Sequence, residues 1–170
     1  MQSRTRKLTL LALFAALSVG IYALESLIPP LIPIPGVKLG LANIITLVVL
    51  KKYGLRDASL VLIVRILITS LLFGQMMSFL YSIVGGALCI LAEFLINKIL
   101  RDRALFITAI FGAIFHNAGQ LLVAIILTSV PGVIIYTPYL MIAAIATGFV
   151  TGFAAHFTLK LLPLALSRQS

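Results

Sequence analysis

Long apolar runs separated by short basic clusters constrain this chain more than any other feature. A stretch such as Leu8 to Ile28 matches the roughly 20 residues that a helix needs to cross a bilayer. In hydrocarbon, only helices and closed barrels satisfy their own backbone hydrogen bonds, and the alternating pattern of a barrel strand is absent. Of the 170 residues, 62% are hydrophobic and 10% charged, where a soluble domain carries about 25% charged residues. A soluble enzyme, a disordered tail and a disulfide-stapled secreted domain are excluded on these grounds. No length remains for a separate soluble domain, so residues 1–170 read as a single six-helix transmembrane domain, an all-α integral membrane protein.

The runs place span one at about Leu8 to Ile28 and span two at about Lys38 to Lys51. Span three follows at about Ala58 to Phe73, span four at Met76 to Asn97, span five at Ala104 to Leu127 and span six at Tyr139 to Leu162. Pro/Gly-rich loops, Pro29 to Val37 and Ser129 to Pro138, separate spans one from two and five from six, and a short turn near Gly74-Gln75 separates three from four. Span one is too long for a signal-peptide core and lacks a clean cleavage site, so it reads as retained. Arg4, Arg6 and Lys7, then Lys51, Lys52 and Arg56, then Lys98, Arg101 and Arg103, then Lys160 and Arg168 all fall on one side of a six-span arrangement. The external loops carry one basic residue, Lys38. The positive-inside rule therefore puts both termini in the cytoplasm of a multi-pass protein of the cytoplasmic membrane. The net charge of +9 is spent on this asymmetry and on lipid. No basic stripe interleaves with aromatics, so nucleic acid is not an expected partner.

Ionisable groups in hydrocarbon cost at least about 2.5–3.5 kcal/mol each on insertion scales, which makes every such residue a site candidate. Arg65 lies about eight residues, roughly 12 Å, into span three. It should face the bundle interior beside an acidic partner, Glu25 or Glu93. Glu25 closes span one, where a contact with Lys38 or Arg65 would stitch the first three spans together. Glu93, near Asn97, Lys98 and Arg101, reads mainly as an interfacial residue. In span five, His116 and Gln120 stand four apart on one helix face, and Asn117 reaches the same cavity. Either an interhelical hydrogen-bond network or a ligand explains them. Asn43 and Thr46, Thr69 and Ser70, and Ser78 add weaker polar positions. The stretch Gly36 to Asn43 sets two glycines, Lys38 and Asn43 at a helix start, where free N–H groups suit an anion. His156 lies at the wrong depth to join His116, and Cys89 stands alone as inert packing, so no metal site is expected.

Small residues form two ridges. Ala12, Ala16 and Gly20 recur every four residues in span one, a surface for close helix approach that serves internal packing or a partner protein. Gly148 and Gly152, with Thr147 and Thr151, make a second face in span six, and Gly85-Gly86 a third feature of this kind. There is no phosphate-binding loop and no cofactor motif. Asp57 and Asp102 are isolated in cytoplasmic loops, and no acidic pair is set to hold Mg²⁺ on a diphosphate. The chain is not expected to be an enzyme.

Several stretches carry a family resemblance: Glu25 to Pro29, Pro35 to Asn43, Arg65, Phe79-Leu80-Tyr81-Ser82 with Gly85-Gly86, and His116-Asn117-x-Gly119-Gln120. With these the chain resembles the Gx transporter family, whose members are also labelled heptaprenyl diphosphate synthase component I. That family is similar to the substrate-binding S components of energy-coupling factor (ECF) transporters. The resemblance implies a six-helix protein that binds a small molecule from outside; the residues themselves offer Lys38, Asn43, Arg65, His116, Asn117 and Gln120 as its polar contacts, with Glu25 positioning the basic groups, and their cationic bias favours an anionic solute. The resemblance also implies docking to a transmembrane coupling protein with two cytoplasmic ATPases through Ala12, Ala16 and Gly20, of which Ala12 and Ala16 match the docking motif in kind and spacing. The synthase label implies a second role, as the non-catalytic membrane partner of a soluble prenyltransferase making long isoprenoid diphosphates.

Overall fold

The computed structural model describes residues 2–28, 38–73, 76–100, 104–129 and 131–167. The Pro29 to Val37 loop, the Gly74-Gln75 turn, the Arg101 to Arg103 cluster and Arg168 lie outside the described residues. Six α-helices account for the fold: α1 (Gln2–Glu25), α2 (Asn43–Tyr53), α3 (Leu55–Phe73), α4 (Met76–Ile99), α5 (Leu105–Thr128) and α6 (Thr137–Ser167). Among the described residues there is no strand.

Among the described residues, four segments are long and apolar enough to cross a membrane: Arg4–Glu25, Met76–Ile99, Leu105–Thr128 and Gly132–Leu162. The remaining two helices differ for separate reasons. α3 has the length, at 19 residues, but carries Arg56, Asp57 and Arg65. α2 has only 11 residues, about 16 Å at 1.5 Å per residue.

The short helix is the hub. α1, α3, α4 and α6 all pack against α2. Its residues from Ile45 to Leu50 are buried without a break, and Leu47, Val48 and Val49 are fully enclosed. A helix apolar all round is at home only when it is surrounded. The outer helices follow one another around it, α1 on α3, α3 on α4, α4 on α5 and α5 on α6.

Span two was expected from Lys38, but the helix begins five residues later. Gly40 takes the left-handed conformation, φ +81°, which breaks the helix and turns its N–H sideways. Ser18 Oγ of α1 donates to Ala42 O at 3.1 Å, tying down this non-helical strip. Irregular backbone at membrane depth is tolerated where protein encloses it. The Ser129 to Pro138 loop is likewise more ordered than its prolines suggest. Ser129, with φ 54°, ends α5, a 3-10 turn runs from Pro131 to Tyr136, and α6 starts at Thr137 with Pro138 in its first turn, where a missing N–H is harmless.

Two polar contacts register the basic ends of the helices. Lys7 of α1 pairs with Asp57 of α3 at 2.6 Å, and Lys51 of α2 donates to Asn97 Oδ1 of α4. The basic start of α1 and α3 and the basic finish of α2 thus gather at one end of the bundle. At the other end Tyr22 Oη of α1 and Ser78 Oγ of α4 lie 2.7 Å apart.

The two small-residue ridges play different parts. On α6, Gly148 lies so close to α5 that a Cβ would stand 2.5 Å from Ile110 Cα, and Gly152 abuts Phe106. On α1 the buried face is Leu11, Phe14, Ala15, Ser18, Tyr22 and Glu25, which leaves Ala12, Ala16 and Gly20 facing outward. A Cβ on Gly20 would meet nothing within 4 Å. Gly148→Ala is therefore expected to lower stability by about 1–3 kcal/mol, as overpacking does, while Gly20→Ala is neutral. Thermal unfolding of both variants in mild detergent checks this; equal losses would show that the α5–α6 contact is not as tight as described.

Candidate functional site

Five of the expected site residues meet on one polar cluster, contributed by α1, α2, α3, α5 and the strip before α2. Arg65 is 4% exposed, and its Nη1 donates to Asn43 Oδ1 at 3.1 Å. An acidic partner for Arg65 was expected; an amide carbonyl holds it instead. The reason is positional: α2 brings Asn43 directly to the guanidinium, while Glu25 accepts the Gly40 N–H and one oxygen of Glu93 accepts the Cys89 thiol. Asn43 then continues the chain of contacts. Its Nδ2 lies 3.3 Å from His116 Nδ1, and His116 Nε2 lies 3.0 Å from Gln120 Nε2. Each group polarises the next, so this network is worth more than its separate pairs.

Glu25 joins through backbone. Its Oε1 accepts the Gly40 N–H at 2.6 Å, the bond that the left-handed turn at Gly40 makes available. The N–H expected to receive an external anion is thus taken by a carboxylate of the chain itself. Gly40 is required for a second reason, since a Cβ there would stand 2.8 Å from His116 Cδ2. Gly85 of α4 gives His116 the same room from the other side. Gly119 lets α5 approach α4 until a Cβ would meet Gly85 Cα at 2.8 Å.

Two expected members sit at the margin. Lys38 does not pair with Glu25. Its Nζ donates to Ser26 Oγ at 2.6 Å and lies 3.5 Å from the centre of the Tyr22 ring. Asn117 is buried but turns to α6, where its Nδ2 donates to Leu140 O at 2.9 Å. His156 packs against Phe106 and Phe157, away from His116. No group of three or more His, Cys, Asp and Glu gathers among the described residues.

Glu93 was expected at the interface and is instead buried, 1% exposed. Counting residues from Lys98 measures depth along the helix but not direction, and this side chain points inward. The signal was present in the sequence: Ser78, Tyr81, Gly85, Cys89 and Glu93 recur at three- and four-residue steps and form the buried face of α4. Ser18 and Tyr22 extend the Glu25 face of α1 in the same way.

Among the described residues, four buried side-chain atoms lack a hydrogen-bond partner within the chain: Thr46 Oγ1, Glu93 Oε2, Asn117 Oδ1 and Gln120 Oε1. Each is a cost of about 1–3 kcal/mol in a dry interior. A small cavity of about 10 Å³ adjoins the cluster, between Gly40, Asn43, Cys89, Glu93 and Thr151.

The fold and this cluster define a class: an all-helical protein with four helices fit to cross a membrane and a charged, hydrogen-bonded centre shared between helices. Within that class, the chain matches the family described as heptaprenyl diphosphate synthase component I over residues 14–158, and it belongs to that family. No curated protein and no solved structure matches it.

Asn43 is the joint of the cluster. Asn43→Leu is expected to cost about 3 kcal/mol, because it leaves a buried guanidinium without its acceptor. The double variant Asn43→Leu with Arg65→Met, apolar on both sides, should recover much of that loss. Denaturant titration in detergent measures both. A double variant less stable than Asn43→Leu alone would mean that Arg65 is held by something other than Asn43.

Proposed function

We propose that this protein is the solute-binding membrane subunit of an ECF-type transporter, with six spans and both termini on the cytoplasmic side of the cell membrane. The observation that carries this reading is the buried cluster of Glu25, Asn43, Arg65, His116 and Gln120, with Asn117 at its edge, whose polar capacity the chain itself does not exhaust. A purely structural network closes on itself; beside this one a cavity lined by Asn43 also holds Glu93, with one carboxyl oxygen unpaired. Arg65 favours an anionic group on the solute. The Gly40 strip lies over His116 and is held by Glu25 at the Gly40 N–H and by Ser18 at Ala42 O, so the cover opens when these bonds break.

The outward ridge of α1 supports the second half of the reading. Ala16 and Gly20 lie in an open apolar groove of about 750 Å³ with Leu13, Leu17, Leu24 and Phe73. A coupling protein with cytoplasmic ATPases would lay a helix there, the use to which small-residue surfaces are put in membranes.

A second reading has its own support. The family's description names one component of a heptaprenyl diphosphate synthase; on this reading the chain is its non-catalytic membrane component and a soluble prenyltransferase its partner. A lateral trough of about 440 Å³ between α3 and α4, lined by Leu62, Ile63, Ile66, Phe79, Ile83 and Leu91, has the apolar character that an isoprenoid chain needs.

Gentle purification from native membranes, with mass spectrometry of retained small molecules and partner subunits, separates the two. The transport reading predicts a small polar solute and a membrane coupling protein. It also predicts that Ala16→Trp abolishes partner retention and uptake while solute retention persists, and that Arg65→Gln does the reverse, lowering solute retention on the order of tenfold or more. Recovery of a prenyltransferase that is active only with this subunit, and no solute, would favour the synthase reading.

A further inference from the structure

The cavity beside Glu93 differs in polarity from the Arg65 side of the cluster. Glu93 Oε1 receives the Cys89 thiol at 3.6 Å. The carboxyl lies against Gly112 of α5, where a Cβ would stand 2.6 Å from Oε1. Oε2 has no partner, although the side chain is 1% exposed. Asn43 forms part of the cavity wall and is tied to Arg65. On α5, Asn117 Oδ1 is an unpaired acceptor beside the contact with α6, and Gln120 turns its amide to His116 Nε2, the donor nitrogen once Asn43 Nδ2 donates to Nδ1. The basic groups, by contrast, already have partners: Arg65 has Asn43, and Lys38 has Ser26 and the Tyr22 ring. What stands unmet at the cavity wall is one oxygen of the Glu93 carboxyl. A buried acceptor is relieved by an N–H or O–H brought to it, and a carboxylate most of all by a charged one.

We propose that Glu93 is the inner pole of the solute site and accepts a hydrogen bond from a protonated amine or other N–H group of the solute, whose anionic group meets Arg65. The solute class is then amphoteric rather than simply anionic. This rests on the solute-binding reading. The cavity, about 10 Å³, holds about one water-sized sphere, so a solute needs the Gly40 strip, part of its wall, to move.

Cys89 is the single cysteine of the chain and lies on the cavity wall, so the native protein carries its own reporter. The full-length protein in lipid nanodiscs is treated with two methanethiosulfonates of similar size and opposite charge, one bearing trimethylammonium and the other sulfonate. Each rate at Cys89 is divided by that reagent's rate with 2-mercaptoethanol. The cationic reagent should react faster on the order of tenfold. Glu93→Gln should reduce that preference to about threefold or less. Gly112→Ala, which keeps the charge but displaces the carboxyl, should reduce it too, so the test survives if one variant misfolds.

Equal or reversed rates in the wild type overturn the proposal, as does a preference unchanged in both variants. Complete protection of Cys89 in the folded protein, with full labelling after unfolding, overturns it as well. The parent reading fails separately: a charge preference at Cys89 in a protein that retains no solute removes the transport role and leaves the Glu93 pole in place. A retained solute without any N–H group does the opposite.

Discussion

A guanidinium at the centre of an apolar bundle must be surrounded by acceptors, and the rest of this structure is arranged around that need. Arg65 on α3 is met by Asn43, which stands at the first turn of α2. For Asn43 to reach that depth, α2 has to begin well inside the bundle. That explains why α2 is only 11 residues long and why the strip ahead of it is not helical. The enclosure of α2 by α1, α3, α4 and α6 is what makes such irregular backbone affordable in hydrocarbon.

Glycine serves this arrangement at two places where nothing larger fits. Gly40 turns its N–H to Glu25 and leaves room for His116, and Gly85 admits the same imidazole from α4. The imidazole therefore lies between two backbone surfaces, with its nitrogens toward Asn43 and Gln120. The α4–α5 side is closely packed, and the Gly40 side is a non-helical strip tied by Glu25 and Ser18. On the proposed reading, that strip is where a solute would enter.

Much of the fold was legible in the sequence, because apolar runs of spanning length leave little choice but helices. α4 and α5 begin and end within two residues of the runs that announce them. Direction around each helix was harder to read. In a helix that is apolar nearly all round, composition does not say which side meets protein, so Ala12, Ala16 and Gly20 were equally compatible with an inner and an outer face. Depth counting misplaced Glu93 for the same reason. Charge complementarity suggested a carboxylate for Arg65, but an amide reaches it because the turn at Gly40 brings Asn43 there. A left-handed glycine is a local backbone choice that hydrophobic periodicity does not register. His116, Asn117 and Gln120, by contrast, were conspicuous, since three polar side chains within five residues of an apolar run have few uses.

The central claim is that the cluster around Arg65 and Asn43 is a place where a small molecule binds. The most direct test is an electron cryo-microscopy structure of natively purified, solute-retaining protein in nanodiscs, at a resolution that shows side chains. The account predicts solute density touching Arg65, Asn43 and His116, with the Gly40 strip displaced from its position over the imidazole. A preparation with its solute bound elsewhere, and with the Arg65–Asn43–His116 contacts intact and closed, would contradict it.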